Sequence, residues 1–153
     1  MIFFSKRVVE INEISQGEGA KKIPKPSFAT KGSLGIDLRA RIKSEVLLPS
    51  KCLIKIPSGI AVRFPKGVGG LVFPRSGLSL KGIVLANGIG VIDSDYTDEI
   101  MLPLINNSER NYKIEVGERV AQMLFFERLN LQVKWGEGEL PVFRGGFGST
   151  GRL

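Results

Sequence analysis

The chain has 153 residues, 42% of them hydrophobic and 24% charged, which suits one domain able to bury a core without covalent staples. It has no histidine and one cysteine, which excludes Cys/His zinc sites, histidine-activated nucleophiles and an internal disulfide. A net charge of +7 favours polyanionic ligands, and because the Lys and Arg residues are scattered, a small phosphorylated ligand ranks above a long nucleic acid.

The apolar start, residues 1–4, is cut short by Lys6 and Arg7, so no signal peptide is expected. With no run of about 18 apolar residues, no transmembrane helix is expected. The expected location is the cytoplasm or another intracellular space, nuclear or viral-host included. Residues 11–27 are polar, carry Gly17, Gly19, Pro24 and Pro26, and read as a loop.

Residues 35–40, Gly-Ile-Asp-Leu-Arg-Ala, alternate a buried face with Asp37 and Arg39. Further strands are expected at 51–56, 59–64, 70–73, 83–86, 100–105, 112–116 and 119–126. Each is short, rich in Val, Ile, Leu or Phe, and bounded by Gly or Pro. Cys52, among apolar neighbours, reads as a buried small hydrophobe. This pattern predicts an all-β sandwich or barrel with no internal repeat. Residues 1–153 form one expected domain, of which 136–153 is a glycine-rich mobile arm.

Four segments carry chemistry. Residues 74–79, Pro-Arg-Ser-Gly-Leu-Ser, follow a strand and open a short helix, with Arg75 offering a planar fork for phosphate oxygens. Residues 88–100, Gly-Ile-Gly-Val-Ile-Asp-Ser-Asp-Tyr-Thr-Asp-Glu-Ile, read as a hairpin whose tip presents carboxylates and one tyrosine. A carboxylate there can orient a water, and the ring can stack on a ligand. Residues 117–122, Gly-Glu-Arg-Val-Ala-Gln, project Arg119 and Gln122 from a strand. Residues 144–151, Arg-Gly-Gly-Phe-Gly-Ser-Thr-Gly, combine close backbone approach with hydroxyl donors and place Phe147 where it can stack on a flat ring. Taken singly, each is also ordinary strand, turn or tail decoration.

Together and in this order, the segments at 35–40, 74–78, 87–96, 118–122 and 144–151 match five ordered motifs. The chain resembles the trimeric dUTP pyrophosphatase (dUTPase) family over roughly residues 23–153. The resemblance implies a jelly-roll-like β fold, a homotrimer with active sites shared between subunits, and Mg²⁺-assisted hydrolysis of dUTP to dUMP and pyrophosphate. It implies that Asp93 is the carboxylate that orients the attacking water and that Gln122 contacts phosphate and water. Arg75, Ser76 and Gly77 become phosphate ligands. Asn87 becomes the amide at the base, and Tyr96 the ring that packs on the deoxyribose and excludes a 2′-hydroxyl. Phe147 stacks over uracil. Arg144, Gly148, Ser149 and Thr150 reach the phosphates, and Asp37 meets the metal through its waters. No direct nucleic-acid or membrane partner is implied.

Three positions depart from the family pattern. Asp98 stands where a glycine is usual, Arg144 lies three residues before Phe147 instead of five, and Leu34 replaces a small residue. Two other readings share the fold. A dCTP deaminase would need a glutamate beyond Asp93, where the chain has Met-Leu-Pro-Leu at 101–104. A regulatory binding protein finds support only in the positive charge.

Overall fold

Short β-branched runs punctuated by Gly and Pro build eleven strands and one helical turn in the computed structural model, which describes residues 7–15, 22–136 and 138. The strands are β1 (Glu10–Glu13), β2 (Gly35–Arg39), β3 (Val46–Leu48), β4 (Leu53–Pro57), β5 (Ile60–Arg63) and β6 (Val68–Pro74). After α1 (Ser76–Ser79) come β7 (Ile83–Leu85), β8 (Gly90–Ile92), β9 (Met101–Asn106), β10 (Tyr112–Ile114) and β11 (Arg119–Glu127). The strands expected from sequence are present with shifted ends. Residues 119–127, helix-like by composition, form the longest strand because the run is paired on both sides, with β2 and with β6.

The central sheet has the order β2-β11-β6-β8, and a second sheet runs β4-β9-β7. Two antiparallel pairs, β1-β5 and β10-β3, complete the framework. Strands β2 to β7 and β9 to β11 all contribute to one buried cluster, with Leu38, Leu48, Ile56, Leu102, Ile114 and Met123 almost wholly enclosed. The period-2 pattern of β2 is the one expected: Ile36, Leu38 and the following Ala40 are buried while Asp37 and Arg39 are not. Leu102 is 0% exposed at the centre of the second sheet. Leu102→Ala should therefore cost about 2–5 kcal/mol of stability by leaving a cavity. A denaturant midpoint that falls by less than about 1 kcal/mol's worth would show that the core collapses around the gap.

Three sequence expectations are corrected. Residues 11–13, expected as the start of a loop, belong to β1 and pair with β5. Glu13 also closes on the buried Arg41, whose guanidinium holds the Glu13 carboxyl below the usual carboxylate range through a side-chain hydrogen bond and its charge. Long-range pairing supplies what the polar local sequence lacks. Cys52 is exposed, not buried. It precedes β4 at a tight turn closed by Cys52 N–H donating to the Pro49 carbonyl, which turns the side chain outward despite its apolar neighbours. Finally, the strands flanking the acidic turn do not form a hairpin with each other. β8 joins β6 in the central sheet, and β9 lies between β4 and β7 in the other. Residues 93–100 are a corner between sheets, because each flank finds its neighbour elsewhere.

Candidate active site

Adjacent strands bring three of the expected site residues together. Asp37 on β2 and Gln122 on β11 are directly opposite, and Gln122 is opposite Phe73 on β6. Cross-strand partners share a face, so Asp37 and Gln122 project to the same side, where β6 ends and Arg75 follows. Arg75 Nε lies 2.9 Å from Asp37 Oδ1. The Arg119 guanidinium takes the other oxygen, with Nη1 3.1 Å from Oδ2. Gln122 Nε2 donates to the Pro74 carbonyl at 3.1 Å, which anchors the side chain at the mouth of the same site. The Asp37 side chain is 22% exposed and Arg75 30%: sheltered enough for charge to matter, yet open to a ligand.

Arg119 was visible in the sequence only as a projecting residue. What places it is the turn before it. Tyr112 donates its hydroxyl to Glu118 Oε1 at 2.5 Å, and Glu118 Oε2 accepts from the Glu115 N–H at 3.0 Å. Arg39 Nη1 donates to the Gly117 carbonyl at 2.8 Å. Burial and the Glu118 carboxylate push the Tyr112 hydroxyl above the usual tyrosine range, so it stays a donor at any working pH.

Ser76 and Gly77 are exposed at the start of α1, whose inward residue is Leu78. Asn87 is also exposed. It lines a cavity of about 90 Å³ between Gly90–Ile92 of β8 and Met101–Pro103 of β9. That is below the ~300–1,000 Å³ of whole-ligand pockets and suits one flat ring rather than a nucleotide. Gly90 makes it possible: a Cβ there would sit 3.3 Å from Val72 and 3.4 Å from the Asn87 amide nitrogen.

Asp93 follows β8 and lines an open groove of about 430 Å³ with Lys66, Ser94, Asp95, Phe126 and Arg128. Tyr96 N–H donates to the Asp93 carbonyl at 3.1 Å, and the Tyr96 hydroxyl donates to the Glu99 carbonyl at 2.9 Å. Asp98 is exposed on the same turn. Leu34, 80% exposed, stands outside the core beside the site formed by Gln122 and Phe73. Arg144, Phe147, Gly148, Ser149 and Thr150 lie outside the described residues.

The structure does not bring Asp93 to Asp37. Asp37 is on one edge of the central sheet, β8 is on the other, and Ile92 is opposite Gly70 while Asp37 shares a row with Phe73. With strands ~4.8 Å apart and ~3.3 Å per residue along them, the two carboxylate-bearing residues are roughly 20 Å apart. One chain by itself does not bring these two expected site residues to a common point.

Among the described residues no group of three or more metal-ligating side chains exists. The donor set nevertheless fits magnesium, which keeps several waters and is held mainly by substrate phosphates with one or two carboxylates. Asp37 supplies one carboxylate at this mouth.

A family model described as dUTPase matches residues 21–151. The chain is 44% identical over 140 residues to a deoxyuridine 5′-triphosphate nucleotidohydrolase of Desulfitobacterium hafniense, an alignment covering 85% of this chain and 89% of that protein. It is 39% identical to the protein of the same name from Wolbachia sp. subsp. Brugia malayi, covering 97% and 96%. The fold resembles Staphylococcus bacteriophage 80alpha dUTPase with dUPNHPP, at a TM-score of 0.79 and 23% identity, covering 94% of this chain and 98% of that one. It also resembles the D95N mutant dUTPase of phage phi11 of S. aureus, at a TM-score of 0.73 and 22% identity, covering 88% and 99%; that work describes coordination of a structural Mg(II) ion. The sequence matches extend through the bracketed Asp37, Gln122 and the acidic turn: the chain belongs to the dUTPase family.

Proposed function

We propose that the chain hydrolyses dUTP to dUMP and pyrophosphate, which limits uracil incorporation into DNA and supplies dUMP for thymidylate synthesis. The observation that carries this reading is the Asp37 carboxylate bracketed by Arg75 and Arg119 beside Gln122. Two guanidiniums and an amide at one mouth suit a polyphosphate, and the carboxylate suits its magnesium. When bound, magnesium neutralises phosphate charge and polarises the phosphorus under attack.

The chain's own residues do the rest. Arg75, Ser76 and Gly77 bind phosphate oxygens, and Gln122 orients phosphate and water. Asp93 takes a proton from the attacking water as its oxygen bonds to the α-phosphorus and the pyrophosphate leaves. Asn87 reads the base in the small cavity, and Tyr96 packs on the deoxyribose. Arg144, Phe147, Gly148, Ser149 and Thr150 close over the ligand from the arm. A carboxylate base makes the missing histidine irrelevant.

The catalytic unit is a homotrimer with sites shared between subunits. Its support is the separation of Asp37 from Asp93 in one chain, since a base and a metal-side carboxylate serving one phosphorus must lie within a few ångströms of it. Leu129, Leu131, Val133 and Trp135 add to this: they alternate at period 2 and are 72–101% exposed, a strand pattern lacking a sheet in the single chain. No helix among the described residues is long and apolar enough to cross a membrane.

Pyrophosphate release from dUTP, UTP, dTTP and dCTP, with and without Mg²⁺, tests the reading. Turnover should be strong with dUTP alone and should need the metal. UTP should fail because Tyr96 leaves no room for a 2′-hydroxyl, and dTTP because the base cavity has no space for a 5-methyl. Comparable rates on dUTP and dTTP would sink this assignment, and ammonia release from dCTP would replace it with deamination. Sedimentation should give three times the chain mass.

A further inference from the structure

We propose that Glu99 is a positioning residue that sets the discrimination between deoxyribose and ribose by holding the Tyr96 ring. This rests on the reading of Tyr96 as the residue against the sugar. The geometry is a double clasp. The Glu99 backbone carbonyl accepts the Tyr96 hydroxyl at 2.9 Å, and the Glu99 carboxylate Oε1 accepts the Gly59 N–H at 2.6 Å. A tyrosine 38% exposed on a turn otherwise has two free side-chain torsions. The hydroxyl bond closes residues 96–99 into a ring and fixes the plane that the sugar meets.

The other end of the clasp is immobile. Gly59 is buried, with its carbonyl accepting from the Ile14 N–H at 2.8 Å. Its φ is +70°, and a Cβ there would lie 1.8 Å from Arg41 Cδ. On either side, Ser58 N–H donates to the Ile100 carbonyl at 3.2 Å and Ile100 N–H to the Ile60 carbonyl at 2.9 Å. Glu99 therefore joins a polar turn to a packed one: Ile100, the next residue, is 1% exposed. No ligand contact is required of the Glu99 side chain. Its action runs through Gly59 to its own carbonyl and from there to the Tyr96 ring.

Glu99→Ala leaves the buried Gly59 donor unpartnered, which a structure avoids by moving the backbone. The carbonyl then shifts and the ring is released. A loosened ring admits the extra hydroxyl more readily than it harms the natural substrate, so selectivity should fall further than turnover.

The test is the ratio of kcat/KM for dUTP to that for UTP, with Mg²⁺ and the full chain. Glu99→Ala should lower the ratio about tenfold while kcat on dUTP stays within about threefold, the scale of one lost hydrogen-bonded constraint. Glu99→Gln keeps an acceptor oxygen and should restore the ratio. Tyr96→Phe removes only the hydroxyl and should reproduce the Glu99→Ala ratio. An unchanged ratio in folded Glu99→Ala, or a Gln variant as relaxed as Ala, overturns the proposal. If Glu99→Ala shows no cooperative melt, Tyr96→Phe alone decides, and a wild-type ratio there overturns it. Tyr96→Ala separates the two readings. A wild-type ratio in Tyr96→Ala removes the tyrosine from the sugar and the proposal with it; a lowered ratio there beside an unchanged Glu99→Ala removes only Glu99.

Discussion

Asp93→Asn should bind a non-hydrolysable dUTP analogue with near wild-type affinity and turn dUTP over about 10²–10⁴-fold more slowly, the contribution of a positioned base. The local structure predicts a clean effect. Asp93 is exposed at the end of β8, and the turn it begins is held by its backbone carbonyl, which accepts the Tyr96 N–H at 3.1 Å. Asparagine leaves that bond in place. The side chain faces an open groove, so no packed neighbour moves. Removing the carboxylate takes away the proton acceptor and also one negative charge beside a polyanion. Binding should therefore hold or tighten while kcat falls. Single-turnover kinetics and analogue titration separate these. A kcat within about tenfold of wild type would remove Asp93 as the base and turn attention to Asp95, in the same groove.

Deleting residues 145–153 should leave the melting temperature within a few degrees and abolish most dUTP turnover. Among the described residues the eleven strands and the helical turn lie at or before Glu127, and the buried cluster with its packed neighbours ends at Phe125. The deletion therefore removes none of the apolar burial that stabilises the described fold. What it removes is Phe147, Gly148, Ser149 and Thr150, the residues proposed to cover the base and phosphates. Ordering a glycine-rich segment costs much backbone entropy, and in the proposed role the ligand contacts offset that cost. Closure would exclude bulk water and strengthen the charges around the α-phosphorus. Phe147→Ala should cause part of the same loss, and Phe147→Trp much less because a larger ring still stacks. A truncated chain that melts far earlier would make the segment structural. One that keeps its turnover would show that the site works without a cover.

Under the proposed roles one chain carries two half-sites, which in the proposed trimer links assembly to activity. The Asp37 mouth and the Asp93 turn sit at opposite corners of the central sheet, so under the proposed roles a single chain does not bring the two carboxylates to one phosphorus. Mixing an inactive Asp37 variant with an inactive Asp93 variant should then restore partial activity, because some sites in mixed trimers combine an intact mouth with an intact turn.

Much of this was legible before any coordinates. Glycine and proline at short intervals, with β-branched and aromatic runs between them, are enough for an all-β chain, since a strand's side-chain period is local. The alternation at 35–40 already told which face of β2 is buried, and five motifs in order carried the family and nominated Asp37, Arg75, Asn87, Asp93, Tyr96 and Gln122 as site residues. Tertiary structure alone decided which groups meet. Asp37 and Arg119 are 82 residues apart in sequence, and Glu99 reaches back 40 residues to Gly59; no periodicity encodes such distances. The same holds for the corrections. The strands flanking the acidic turn look like hairpin partners but enter different sheets, residues 11–13 look like loop but pair with β5, and Cys52 looks buried but faces out. A residue's face follows from its neighbours in sequence, whereas its partners follow from where the whole chain finds the best burial and pairing, and that competition is settled only in three dimensions.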